Sequence, residues 1–143
     1  MKNKLKIKAL SGILILSFAP LFSSAHAASD VKEGYDENTE ITVKGTVVEV
    51  MKGMMMGPVV VRLKFDSKIY NVVTAPPWYL SQEGISFRSG SEWEIKGSKY
   101  FGRDGKVYII GRQLKNAGSG QALVLRDTYC RPLWMGHRGH NRR

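Results

Sequence analysis

"APPWYLSQEGISFRSG", residues 75–90, interrupts a chain that elsewhere alternates apolar and polar residues as a sheet does. Pro76 and Pro77 end the strand before them, because proline offers no N–H to a ladder. Proline is tolerated in the first turn of a helix, and Gly84 supplies a C-terminal stop. The spacing predicts a short helix over 78–83. Within it Trp78 and Leu80 are expected to plug one end of the core, with Tyr79 partly exposed.

Three strands precede this helix. The first is read as Ile41–Val50. Ile41, Val43 and Val47 share one parity and Val48 and Val50 take the other, which calls for a bend or bulge that Gly45 permits. The second is Val59–Phe65, where Val59, Val61, Leu63 and Phe65 alternate with Val60, Arg62 and Lys64. Asp66-Ser67 turns the chain into the third, Lys68–Thr74. After the helix come Glu92–Tyr100, with Trp93 and Ile95 on one face, then the Asp104-Gly105 hairpin signal, Val107–Leu114 and a last short strand, Gln121–Asp127. The pattern predicts an all-β fold: a small five- to six-stranded OB-fold-like barrel with one short helix between strands three and four. An SH3-like barrel is the rival, and it usually lacks that helix.

The ends read differently. Lys2, Lys4, Lys6 and Lys8, an apolar run from Ala9 to Phe18 and the small residues of Ala25-His26-Ala27 form the three-part pattern of a cleaved secretory signal, residues 1–27. The run is too short for a bilayer span of about 20 residues, so the product is expected to be exported, periplasmic or secreted, and not membrane-spanning. Residues 28–40 are an acidic, flexible leader with a net charge of −4. The barrel is placed at 41–127 and a basic C-terminal tail at 128–143. The whole chain carries +10, and +6 remains without the four signal lysines. A basic surface attracts anions or serves solubility. Cys130 is the only cysteine, so an internal disulfide is excluded; the thiol is buried, free, or paired with another chain.

The segments "TVKGTVVEV", "PPWYLSQEGISFRSGSEWEIKGS", "VYIIGRQL" and "LVLRDTYCRPLW" resemble small exported bacterial OB-fold proteins, over roughly residues 41–134. More distantly the chain is similar to the periplasmic OB-fold stress proteins. In the closer group the chain closes on an Arg-Asp…Gly-x-Pro-Leu-Trp-like end, and Cys130 stands at the glycine position. The resemblance implies a barrel and supplies no catalytic residue, and a fold does not fix a function.

OB-folds hold ligands on the face of strands two and three, between the one–two and four–five loops. Here those loops are "MKGMMMGP" and "SKYFGRDGK". Two chemistries compete. Lys99, Tyr100, Phe101, Arg103 and Lys106 in the second loop, with Arg62, Lys64 and Arg112 on outward strand positions, interleave cations and rings as anion- or glycan-binding faces do; a plain solvated face is the bland alternative. Met51, Met54, Met55 and Met56 offer soft sulfur ligands for Cu(I), with Met135, His137 and His140 of the tail as further ligands; flexible apolar packing is the bland alternative. No Ser-His-Asp, Cys-His or HExxH arrangement can be assembled, so no catalytic residue and no enzyme activity is expected. The expected function is non-catalytic binding of an anionic, carbohydrate-like or protein ligand without a cofactor. Copper handling is the alternative. Nucleic-acid binding is weaker, because export separates the chain from nucleic acid.

Overall fold

The structure is a computed structural model and describes residues 34–53 and 57–139, with the backbone alone for 137–139. Its elements are β1 (Glu40–Met51), β2 (Val60–Phe65), β3 (Lys68–Val73), α1 (Pro77–Gln82), β4 (Glu92–Phe101), β5 (Val107–Asn116) and β6 (Ala122–Val124), with 3-10 turns at Glu37–Thr39 and Leu133–Gly139. The sheet order is β3-β2-β1-β4-β5-β6, and a parallel pairing of β3 with β5 closes the first five strands into a barrel. The expected OB-fold-like barrel is therefore present, with its helix between β3 and β4. β6 is only three residues long, shorter than the sequence suggested.

β1 is long because it serves two partners. Glu40–Thr46 pair with β4, and Thr46–Met51 pair with β2. Gly45 lies at the handover, where a Cβ would sit 2.5 Å from the Lys64 carbonyl oxygen. The expected bulge is real but lies elsewhere, between Val47 and Glu49. Val47 points inward, while Val48 and Glu49 both point outward. Gly45 thus answers a close approach, and the extra residue at Val48 makes the change of face.

The interior is filled from alternate positions: Val43, Val47, Val61, Leu63, Val72, Trp93, Ile95, Ile109 and Leu114 are all buried. Trp93 donates its indole N–H to Ser91 Oγ at 3.0 Å and packs 4.6 Å from the Phe87 ring centroid. Phe65, expected inward by parity, is exposed, because it stands where β2 leaves the barrel for its hairpin.

The helix carries a correction. Tyr79 and Leu80 are buried and Trp78 is exposed. The Tyr79 ring meets Trp134 from the C-terminal segment at 5.9 Å, a partner that the local sequence does not announce. Gly84 closes the helix at φ 69°, and Ile85 N–H donates back to Leu80 at 2.8 Å. Among the described residues no helix is long and apolar enough to cross a membrane.

Gly97 marks the β4–β5 register shift, where a Cβ would run into the Ile110 carbonyl oxygen and the Ile109 side chain. Backbone cannot yield as a flexible side chain can. Gly97→Ala should therefore lower stability by about 2 kcal/mol, read as a fall in the urea midpoint. Gly34→Ala, with nothing near its Cβ, should leave the midpoint in place.

Candidate functional site

Because β3 and β5 run parallel, their first residues lie at the same end of the barrel. The β2–β3 and β4–β5 hairpins therefore stand side by side. The parallel ladder begins only at Tyr70 and Val107, so Lys68 and Ile69 are paired to β2 alone. A groove of about 440 Å³ opens there between the two hairpins.

Four cations line it: Arg62 from β2, Lys68 from β3, Lys99 from β4 and Lys106 from the β4–β5 turn. Ile69, Tyr70, Phe101 and Val107 supply its apolar surface. Phe101 is 71% exposed, and the Lys99 ammonium lies 5.7 Å from its ring centre. No carboxylate, imidazole or thiol is among the lining residues. Asn71 closes the floor by donating its side-chain amide to the Val107 carbonyl at 3.1 Å.

Two groups beside the groove are fixed by hydrogen bonds. Tyr108 donates its hydroxyl to Asp104 at 2.7 Å, which holds the Asp104 carboxyl below its ordinary range. Burial pushes Tyr108 up to about 12, and the same cause raises Tyr100, stacked on it at 5.2 Å, to about 12. Both phenols stay neutral at physiological pH. On the other side, Arg62 Nη1 donates to Glu49 Oε2 at 2.7 Å.

The sequence-predicted residues divide. Arg62, Lys99, Phe101 and Lys106 come together in the groove. Lys64 is exposed on β2 outside the lining, and Arg103 is exposed at the hairpin tip. Tyr100 is half-buried against Tyr108 and does not line the groove. Arg112 belongs to a separate cluster described below. Lys68, Ile69, Tyr70 and Asn71 were missed; the signal for them is the β3–β5 adjacency that any OB-like order implies. Met54, Met55, Met56 and His140 lie outside the described residues. Met51 ends β1 opposite Val60, exposed, and Met135 is exposed in the last 3-10 turn, which also carries the His137 backbone. Among the described residues no group of three or more His, Cys, Asp or Glu gathers as a metal site.

The second cluster joins the two ends of the described chain. Glu40 accepts from Tyr35 at 2.6 Å and from Arg112 at 2.9 Å, and pairs with Lys96 at 2.8 Å. The Arg112 and Arg126 guanidinium carbons lie 5.9 and 5.6 Å from the Tyr35 ring centre, and Arg126 lies 5.7 Å from that of Trp134. Cys130 donates its thiol to Glu37 at 3.2 Å; burial and that carboxylate raise its pKa and keep it protonated. Cys130 has φ 61°, the left-handed region that glycine favours, and its N–H closes a turn on the Asp127 carbonyl at 3.0 Å. The turn expected of glycine thus forms with cysteine in its place. The described part of the acidic leader, from Gly34, is tied to the barrel through this cluster.

Residues 39–120 match the model of the MamS/MamX magnetosome protein family. The matched span holds β1 to β5 and both hairpins of the groove, and stops before β6. Neither a curated protein nor a solved structure matches the chain.

Glu40 gives this region a pH signature. Burial raises its pKa, and the bonds from Lys96, Tyr35 and Arg112 outweigh burial and bring the carboxyl to about 2. A carboxyl depressed from its ordinary 4.5 contributes stability in full above that value and loses it as pH falls toward 2. Its side chain is 16% exposed, so the contribution is discounted to about 2 kcal/mol. Glu40→Gln should be less stable than the parent by that amount at pH 7, and the gap should close toward pH 2 in urea titrations.

Proposed function

The chain belongs to the MamS/MamX magnetosome protein family, and from that premise we propose that it is a non-catalytic binding module that holds an acidic segment of a partner protein in the groove between its two hairpins. The observation that carries this reading is the meeting of four cations over an apolar floor with no acid among the lining residues. Cations so placed attract carboxylates, and their aliphatic stems cover apolar surface. The free side of β3 at Lys68 and Ile69 suits an extended chain.

A glycan fits less well. Sugar hydroxyls need neutral donors and acceptors, and among the lining side chains only Tyr70 and Asn71 carry them, the Asn71 amide being already engaged with Val107. No carboxylate, imidazole or thiol is among the groove's lining residues to pair with its lysines as base or nucleophile, which supports binding without turnover. The copper reading gains no support from the described residues, and the role of Met54–Met56 stays an alternative for direct titration.

The test uses a fluorescein-labelled peptide of alternating glutamate and leucine, with heparin as the glycan competitor. Replacing Lys68, Lys99 and Lys106 together by glutamine should weaken peptide binding about tenfold, since each exposed pair contributes up to about 1 kcal/mol. Rising salt should weaken the parent more than the variant. Unchanged affinity would remove the groove as the site, and tighter binding of heparin at the same residues would turn the ligand into a glycan.

A further inference from the structure

We infer that Glu49 is a built-in placeholder for the ligand: its carboxylate occupies Arg62 in the free protein, and an acidic side chain of the partner displaces it. This rests on the groove's binding role proposed above.

Three observations lead to it. Arg62 lines the groove and its guanidinium is bonded at 2.7 Å to Glu49, whereas the nearest acid to Lys106, Asp104, is 3.8 Å away. Glu49 reaches that position only because of the β1 bulge. Val43 and Val47 point inward, and an unbroken alternation would carry residue 49 inward as well. The extra residue at Val48 turns Glu49 outward and sets it opposite Arg62. Bulges re-aim side chains in this way beside functional surfaces. Finally, the two side chains are 41% and 50% exposed. A pair in that setting is held weakly, by about 1 kcal/mol or less, so a second carboxylate can take its place without the loss that breaking a buried pair brings.

The consequence is selectivity. Arg62 presents a planar fork that matches a carboxylate. With Glu49 already there, a ligand gains from Arg62 only if it brings a group that competes for the fork. Neutral or singly contacting ligands gain nothing from this cation. Glu49 also lowers the affinity for every anion, which keeps the complex reversible.

The experiment is a double-mutant cycle on the purified full chain. The parent, Glu49→Gln, Arg62→Gln and the double variant are titrated with the labelled glutamate–leucine peptide, and with tripolyphosphate as a competitor. Glu49→Gln should bind the peptide about two- to fivefold tighter than the parent. In the Arg62→Gln background the same change should have little effect. Peptide binding that is insensitive to Glu49→Gln would overturn the placeholder while leaving the groove reading intact. So would equal tightening with and without Arg62, because that is a general charge effect. Absence of peptide binding in all four proteins would overturn both. Tripolyphosphate that gains from Glu49→Gln while the peptide does not would overturn the peptide as displacing ligand. Arg62→Lys is the second variant, since it keeps the charge and loses the fork, and the Glu49→Gln effect should shrink in it.

Discussion

Four parallel residue pairs, Tyr70 with Val107 through Val73 with Ile110, hold the barrel closed. Without them the sheet would end in two open edges, with no enclosed interior for Val72 and Ile109. This ladder is also what juxtaposes the two hairpins. Both strands start at one end, and the pairing begins at the first residue of β5 but two residues into β3. The same backbone contact that closes the core therefore leaves a gap outside it. The groove is a product of closure, and the cations gather there because strands two, three, four and five all reach that rim.

Closure demands adjustments elsewhere. β4 must approach β5 closely at their register shift, which only Gly97 allows. β1 must pass from β4 to β2, which needs Gly45 and then the bulge at Val48. The ends of the described chain are then fastened over β5 by Glu40, Arg112, Tyr35 and Trp134. This fastening is rich in charge but differs from the groove in one respect: its central carboxylate, Glu40, is shared by two cations and a phenol. Arg112 is 2.9 Å from Glu40 and Lys96 is 2.8 Å from it, so these cations are engaged within the fold, whereas the acid partners of Arg62 and Lys106 in the groove are at least half exposed or more distant.

Much of this was legible in the residues. Alternation gave the inward faces of Val61 and Leu63 and of Trp93 and Ile95, and Pro76-Pro77 with Gly84 gave the helix that separates an OB-like order from its rival. The cations of β2 and of the four–five loop pointed to the face where the groove opens. What escaped was non-local. Lys68 joins Lys106 only through the parallel ladder, which no local pattern reports. Arg112 shares the outward parity of Arg62, but a barrel's outer face curves, and parity does not say which side a residue occupies. The need for a bulge was visible and its position was not, because an extra residue is compatible with any of several neighbouring sites. Tyr79 is buried on account of Trp134, a contact between distant segments. The family was also beyond reach of these patterns, since they describe a barrel that many chains share.

The most direct measurement is hydrogen–deuterium exchange of the protein with and without the glutamate–leucine peptide. Occupation of the groove predicts new protection at the amides of 68–71 and 101–107, with the region around Arg112 and Cys130 unchanged. Protection confined to that second region, or to the face formed by Glu94, Lys115 and Val124, with the two hairpins unaltered, would contradict it.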